Sequence, residues 1–248
     1  MKNPLVTIIT ATTGSEFLTK NIDSVANQTY QNFQHLVVVD GPGHLKKEQL
    51  AKIHHKQLDI IELPYPTGED NFLCHRIYGG SAFFAKGDFI CFLDDDNWMD
   101  PDHISSLLNL TSTYHWAYSL RKIVDQDSSF VCEDNCESLG RWPSIINKND
   151  FLIDTNCFFL PKKLALSISP FWHTKARQRN SIDADRLVTL TLKDLELKKV
   201  SYATTGQYTI NYRLNTRIDA PKQKEFFLKG NELMKDKWVD GFPWTKKL

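Results

Sequence analysis

The run Phe89-Ile90-Cys91-Phe92-Leu93, followed without a spacer by Asp94-Asp95-Asp96-Asn97, constrains this chain more than any other stretch. Five consecutive apolar residues suit a short strand buried on both faces, as in a parallel sheet. Three adjacent carboxylates repel one another, and ionising them together in a crevice is costly unless a cation is shared. A hard divalent ion, Mg2+ or Mn2+, suits these oxygen donors, and a bound diphosphate would complete its shell. Asp100-Pro101 then supplies a helix N-cap and a first helical residue. The competing reading is a solvated acidic turn. A calcium loop of the EF-hand type is excluded, because counting from Asp94 puts Trp98 at its fifth position and Met99 where its glycine belongs.

The flanking chain repeats a strand-and-helix alternation. Leu5 to Thr10 reads as a first strand, closed by the polar turn Ala11-Thr12-Thr13-Gly14-Ser15. Leu18, Ile22, Val25 and Ala26 recur at helical spacing. Phe33 to Val39 is a second strand stopping at Asp40-Gly41-Pro42-Gly43, and Leu58 to Leu63 a third. Leu45, Leu50 and Ile53 mark a helix between them, and Phe72 to Ala85 another, weakened by Gly79-Gly80. Such alternation implies βαβ units and a mostly parallel sheet flanked by helices. Ligands of such sheets bind outside the carboxyl ends of the strands. Thr10 and Thr12, Asp40, and Asp94 to Asp96 should therefore converge on one edge.

The second half is less regular. Trp116 to Val124, Phe130 to Cys132, Asn156 to Leu160, Val200 to Thr204 and Tyr208 to Leu214 read as strands. Short helices follow Pro161 and Ser181, and an amphipathic helix spans about Lys222 to Trp238. No linker divides the chain. The expectation is one domain over residues 1–248, with a ligand-binding half at 1–105, a second half at 106–220, and a helix and tail at 221–248.

Thirty Lys plus Arg balance thirty Asp plus Glu, with no long block of one sign, which argues against a nucleic-acid partner. No apolar run approaches the length of a membrane span or a secretory leader, so the expected location is cytoplasmic, with room for peripheral contact at the inner membrane face. The five cysteines are odd in number and mostly scattered, as expected of reduced structural thiols.

Four segments in order resemble family 2 glycosyltransferases of the GT-A fold. They are Val6-Thr7-Ile8-Ile9-Thr10-Ala11-Thr12; Ile22-Asp23-Ser24-Val25 through Gln28-Thr29-Tyr30-Gln31-Asn32-Phe33; Val37-Val38-Val39-Asp40; and Ala85-Lys86-Gly87-Asp88-Phe89-Ile90 running into the acidic triplet as a DxD motif. The resemblance covers residues 4–105 well and 150–215 loosely. It implies a GT-A α/β fold, a nucleoside diphosphate sugar donor and Mn2+ or Mg2+. It places Asp40 at the base with Thr10, Ala11 and Thr12, Asp94 near the ribose or metal, Asp96 on the metal, and Asp95 between them. Arg76 sits where the family often has an arginine, which implies a guanidinium paired with the donor's diphosphate, although Ile77 replaces the asparagine that usually follows.

Asp183-Ala184-Asp185-Arg186, ahead of an apolar helix, resembles the family's catalytic segment, with Asp185 the first choice as base and Asp183 the second. Asn215 stands where a metal-binding histidine is often found. The implied reaction is inverting sugar transfer to a saccharide or lipid-linked acceptor. Trp98 and Trp142 are candidates for stacking on sugars. The alternatives are a non-catalytic nucleotide-sugar-binding module and a sugar nucleotidyltransferase. The latter is disfavoured because residues 10–16 contain one glycine and no basic residue.

Overall fold

Parallel pairing of the first strands brings every polar carboxyl end to one edge. The structure, a computed structural model, describes residues 3–45, 55–69, 72–144, 151–174, 184–214 and 220–246. Strand β1 (Val6–Thr12) and strand β2 (Phe33–Val39) are buried throughout and pair with Thr12 opposite Val39. Strand β3 (Leu58–Glu62) extends this side in parallel, and strand β4 (Phe89–Asp94) pairs parallel on the other flank of β1 with Asp94 opposite Ala11. The registers align Thr12, Asp40 and Asp94, and the Asp40 amide donates to Thr12 O at 2.8 Å.

One sheet runs through both halves of the chain. Strands β5 (Trp98–Met99), β6 (Trp116–Val124), β7 (Phe130–Glu133), β8 (Phe158–Pro161) and β9 (Tyr202–Arg213) complete the order β3-β2-β1-β4-β8-β6-β9-β5, with β7 paired to β6. β8 is antiparallel to both β4 and β6, whereas β6 and β9 are parallel. The two late strands read from the sequence are one strand here. The register of β9 slips against β6 around Tyr118 to Arg121, so a break in the apolar pattern is an irregularity rather than an end.

Helix α1 (Leu18–Ala26) buries Leu18, Ile22 and Val25 on the sheet. Helix α2 is shorter than its apolar pattern, spanning His75–Ser81. Its Gly79 permits a close approach, since a Cβ there would lie 2.9 Å from Trp172 Cβ and 3.0 Å from Ser169 O. Helix α3 (His103–Leu110), helix α4 (Lys162–Ile168), a 3-10 segment (Ser169–His173), helix α5 (Ala184–Asp194) and helix α6 (Ala220–Lys237) follow. Phe227 and Met234 of α6 are buried. No described helix is long and apolar enough to cross a membrane.

The start of α3 corrects one expectation. Asp100 is not its cap: the Asp100 carboxylate pairs with Lys122 Nζ at 2.5 Å and accepts from Asn211 Nδ2 at 2.8 Å. The cap comes from Gln28, whose Oε1 accepts the Ile104 amide at 3.1 Å while its Nε2 donates to Asp100 O at 2.7 Å. The adjoining Thr29 amide donates to Pro101 O at 2.7 Å. The segment after α1 is therefore a buckle that holds the chain leaving the acidic turn. Replacing buried Gln28 with Ala should strand two backbone groups and cost about 1–3 kcal/mol of unfolding free energy, measured by urea titration. An unchanged midpoint would mean that water replaces the buckle without loss.

Candidate active site

The acidic turn is held by five parts of the chain. Asn21 of α1 donates through Nδ2 to Asp94 O at 2.8 Å and Asn97 O at 3.2 Å. Asn156, just before β8, accepts the Asp94 amide at 2.6 Å and donates to Asp94 Oδ2 at 2.8 Å. From α2, Tyr78 Oη donates to Asp94 Oδ1 at 2.5 Å, and Cys74 Sγ lies 3.5 Å from the same oxygen. Cys74 and Tyr78 are one helical turn apart, so both reach the carboxylate from one face. At the end of β9, the Arg213 amide donates to Asn97 Oδ1 at 2.8 Å and its Nε to Asp96 O at 3.1 Å. Asp95 is tied to the end of β1, accepting from Thr12 Oγ1 at 2.5 Å.

This turn opens into a cavity of about 890 Å³ lined by Ala11, Thr12, Asp40, Asp94, Asp95, Asp96, Asp154, Asp185, Tyr212 and Arg213 among others. It joins the carboxyl edge of the first strands to the start of α5. On the β2 side, buried Asp40 accepts the amides of Thr67 and Gly68 at 2.5 and 3.0 Å, which holds the Pro66–Gly68 loop against it. Arg76 grips the same loop from the other side, Nη1 donating to Thr67 O at 3.0 Å with its guanidinium 3.6 Å from the Phe72 ring centroid. Arg76 does not line the cavity.

Thr10 does not line it either. Its hydroxyl is buried, 3.3 Å from Asn21 Oδ1 and 3.0 Å from His35 Nε2, so it acts on the turn through Asn21. Trp98 and Trp142 are likewise engaged elsewhere: Lys20 Nζ sits 3.4 Å from the Trp98 ring centroid, and Trp142 packs on Trp244.

Asp185 opens α5, where its Oδ1 accepts the Arg186 amide at 2.8 Å. Asp183, Asn215, Ser181 and the helix expected around Leu50 lie outside the described residues. Thr189 of α5 binds the Ile153 amide at 3.1 Å, which fastens the helix to the segment carrying Asp154 and Asn156. Beneath it, buried Arg121 donates to Asp134, Glu137 and Asp154 at 2.8, 2.6 and 2.5 Å. Sequence reading missed Asp154, Asn156, Tyr78 and Arg213 as site residues. The only signal for Asp154 and Asn156 is polarity at the mouth of an apolar strand.

Charge sets what this cavity can accept. Among the described residues, eight carboxylates and one guanidinium, that of Arg213, line it. Burial, then repulsion from Asp94 and Asp95, pushes the Asp96 carboxyl up to about 7, against the attraction of Arg213. Burial first and neighbouring carboxylates second also raise Asp94 and Asp95 above the ordinary range. Among the described residues no group of three carboxylate, imidazole or thiolate side chains converges tightly enough to hold an ion alone. The donors fit a hard divalent cation that brings its remaining oxygens with a ligand. His173 does not line the cavity, and its Nε2 lies beside Gly79 of α2.

Residues 6–126 match the family model described as glycosyl transferase family 2. Among curated proteins, the chain is 26% identical over 112 residues to glycosyltransferase EpsH of Bacillus subtilis, covering 44% of this chain and 30% of that protein. It is 29% identical over 142 residues to the uncharacterized glycosyltransferase MJ1057 of Methanocaldococcus jannaschii, covering 54% and 47%. The chain thus matches no more than about half the length of these relatives. Staphylococcus aureus TarS in complex with UDP-GlcNAc aligns over 97% of this chain and 67% of its own, at TM-score 0.56 and 14% identity. The mannosyltransferase PcManGT of Pyrobaculum calidifontis, in complex with GDP-Man and Mn2+, aligns over 98% and 66%, at TM-score 0.58 and 12% identity. At such identity the likeness is one of fold.

The raised Asp96 gives a signed prediction for the metal-free protein. Between about pH 4 and 7 the folded chain keeps a proton that the unfolded chain has released. Stability should therefore fall as pH rises through that window. Asp96→Asn should flatten the slope and raise the melting midpoint at pH 8, read by thermal unfolding in EDTA. Equal slopes in the two proteins would show that Asp96 is not the strained carboxylate.

Proposed function

Residues 6–126 match the model of the family 2 glycosyltransferases, and on that ground we propose that this chain moves a sugar, with inversion, from a nucleoside diphosphate donor to a saccharide or lipid-linked acceptor. The carrying observation is one cavity shared by Asp40, the acidic turn and Asp185, lined among the described residues by eight carboxylates and one guanidinium. A diphosphate entering so acidic a space is repelled unless a cation accompanies it. That asymmetry favours a metal-assisted donor over a ligand bound by basic residues.

In this mechanism Asp40 takes the nucleobase, with Ala11 and Thr12 beside it. Thr10 supports the turn through Asn21, and Arg76 holds the loop that covers Asp40. Asp94 and Asp96 hold a divalent ion, Mn2+ or Mg2+, and Asp95 is pinned by Thr12. When bound, such an ion supplies neutralisation of the charge that accumulates on the departing diphosphate. Arg213 adds the protein's own positive charge at that end of the cavity. Asp185 accepts the proton of the acceptor hydroxyl as its oxygen attacks the anomeric carbon from the face opposite the leaving group. Asp183 stays the second choice for that base.

A donor screen tests the reading. Thermal shifts with UDP-, GDP-, CMP- and dTDP-sugars should show stabilisation by one nucleotide class, and only with Mn2+ or Mg2+ present. Stabilisation that is equal in EDTA would remove the metal from the proposal. Asp185→Asn keeps the shape of the side chain and loses its basicity, so transfer should fall by about 10²–10⁴ while donor binding survives. Near-normal transfer would move the base to Asp183. Asp40→Ala should weaken every donor carrying the same base by a similar factor, seen by calorimetry. A changed preference among sugars on one nucleotide would instead place Asp40 at the sugar.

A further inference from the structure

We propose that His75 reads a hydroxyl of the transferred sugar, as a neutral hydrogen-bonding group on the α2 wall of the cavity. The proposal rests on the nucleotide-sugar reading above and assigns a specificity residue within it. His75 is only 8% exposed yet lines the cavity. Its Nδ1 is sealed from solvent and has no hydrogen-bond partner among the described residues. With Nδ1 sealed, Nε2 is the ring nitrogen left to face the cavity and meet a ligand hydroxyl.

Three features point to a sugar. Burial lowers the pKa of His75 to about 4, so the ring enters a neutral-pH reaction uncharged and does not compete with a metal for the diphosphate. No partner on Nδ1 locks the tautomer, so the cavity-facing edge can present either N–H or a lone pair to a hydroxyl. The position is also right for the donor side. His75 follows Cys74, whose Sγ lies 3.5 Å from Asp94 Oδ1, so it stands beside the turn assigned to the metal and diphosphate. The sugar is the group attached next to that diphosphate. The ring is held in place by Trp172, at 5.8 Å between centroids, and the Ser169–His173 segment bearing Trp172 packs on both α2 and α5. The wall carrying His75 is thereby fixed relative to the helix that carries Asp185.

Calorimetry in Mn2+ with UDP against UDP-GlcNAc, and GDP against GDP-mannose, separates sugar recognition from nucleotide recognition. His75→Phe keeps a ring against Trp172 and removes both nitrogens. It should leave nucleoside diphosphate affinity within about twofold and weaken the sugar nucleotide roughly tenfold, the scale of a lost hydrogen bond to a substrate hydroxyl. His75→Gln, which returns an amide near the Nε2 position, should recover part of that loss. Equal weakening of nucleotide and sugar nucleotide would mark His75 as a packing residue and overturn the inference, as would no change in either. If the wild-type protein bound none of these four and no CMP- or dTDP-linked sugar either, the donor reading itself would fall and this assignment with it. Thermal unfolding of both variants guards against a folding defect.

Discussion

Asp94 ends a buried strand and takes hydrogen bonds from Tyr78 and Asn156, two neutral side chains brought in by α2 and the approach to β8. A carboxylate at that depth is expensive unless its lone pairs are filled. Neutral donors fill them without a neighbouring cation, so burial and the nearby Asp154 still raise the Asp94 carboxyl above the ordinary range. The rest of the turn hangs on the same contacts. Asn21 bridges the carbonyls of Asp94 and Asn97, and the Arg213 amide closes on Asn97. Residues from α1, α2, β8 and β9 therefore meet around one short turn, and the sheet order is what lets them meet.

The site concentrates negative charge, and one of its carboxylates is balanced from outside the cavity lining. Arg121 is buried and satisfies Asp134, Glu137 and Asp154. A buried ion pair of this kind is strongly destabilised by loss of one partner, because the other is left uncompensated. Asp154 is thereby tied to Arg121 while still lining the cavity. The remaining carboxylates have Arg213 as the facing guanidinium, and Asp96 bears the strain as a raised pKa.

The most recognisable sequence segments turn out to be mostly stitching. Gln28 and Thr29 fasten the chain after the acidic turn to the end of α1. Ahead of β4, the Gly87 amide donates to Thr7 Oγ1 at 2.8 Å, and a Cβ on Gly87 would sit 2.5 Å from Thr7 N. Asp88 then accepts the Leu5 amide at 3.0 Å. These residues set the register of β4 against β1, and the register sets where Asp94 ends. Such motifs identify the fold by fixing the geometry on which the chemistry stands.

Local sequence determined the first half. Apolar runs of strand length, closed by Thr, Asp-Gly or Asp triplets, dictate buried parallel strands, and parallel strands must put those polar ends on one edge. Asp40, Thr12 and the acidic turn were legible for that reason. Tertiary structure alone decided the rest. That Gln28 rather than Asp100 caps α3 depends on two segments far apart in sequence meeting. That Arg76 and Thr10 serve neighbouring groups instead of lining the cavity depends on which way each side chain leaves its backbone. Asp154, Asn156, Tyr78, His75 and Arg213 come to the site from three separate segments, and no spacing along the chain encodes their approach. Periodicity reports which face of an element is buried; it carries no information on which distant partner will cover that face.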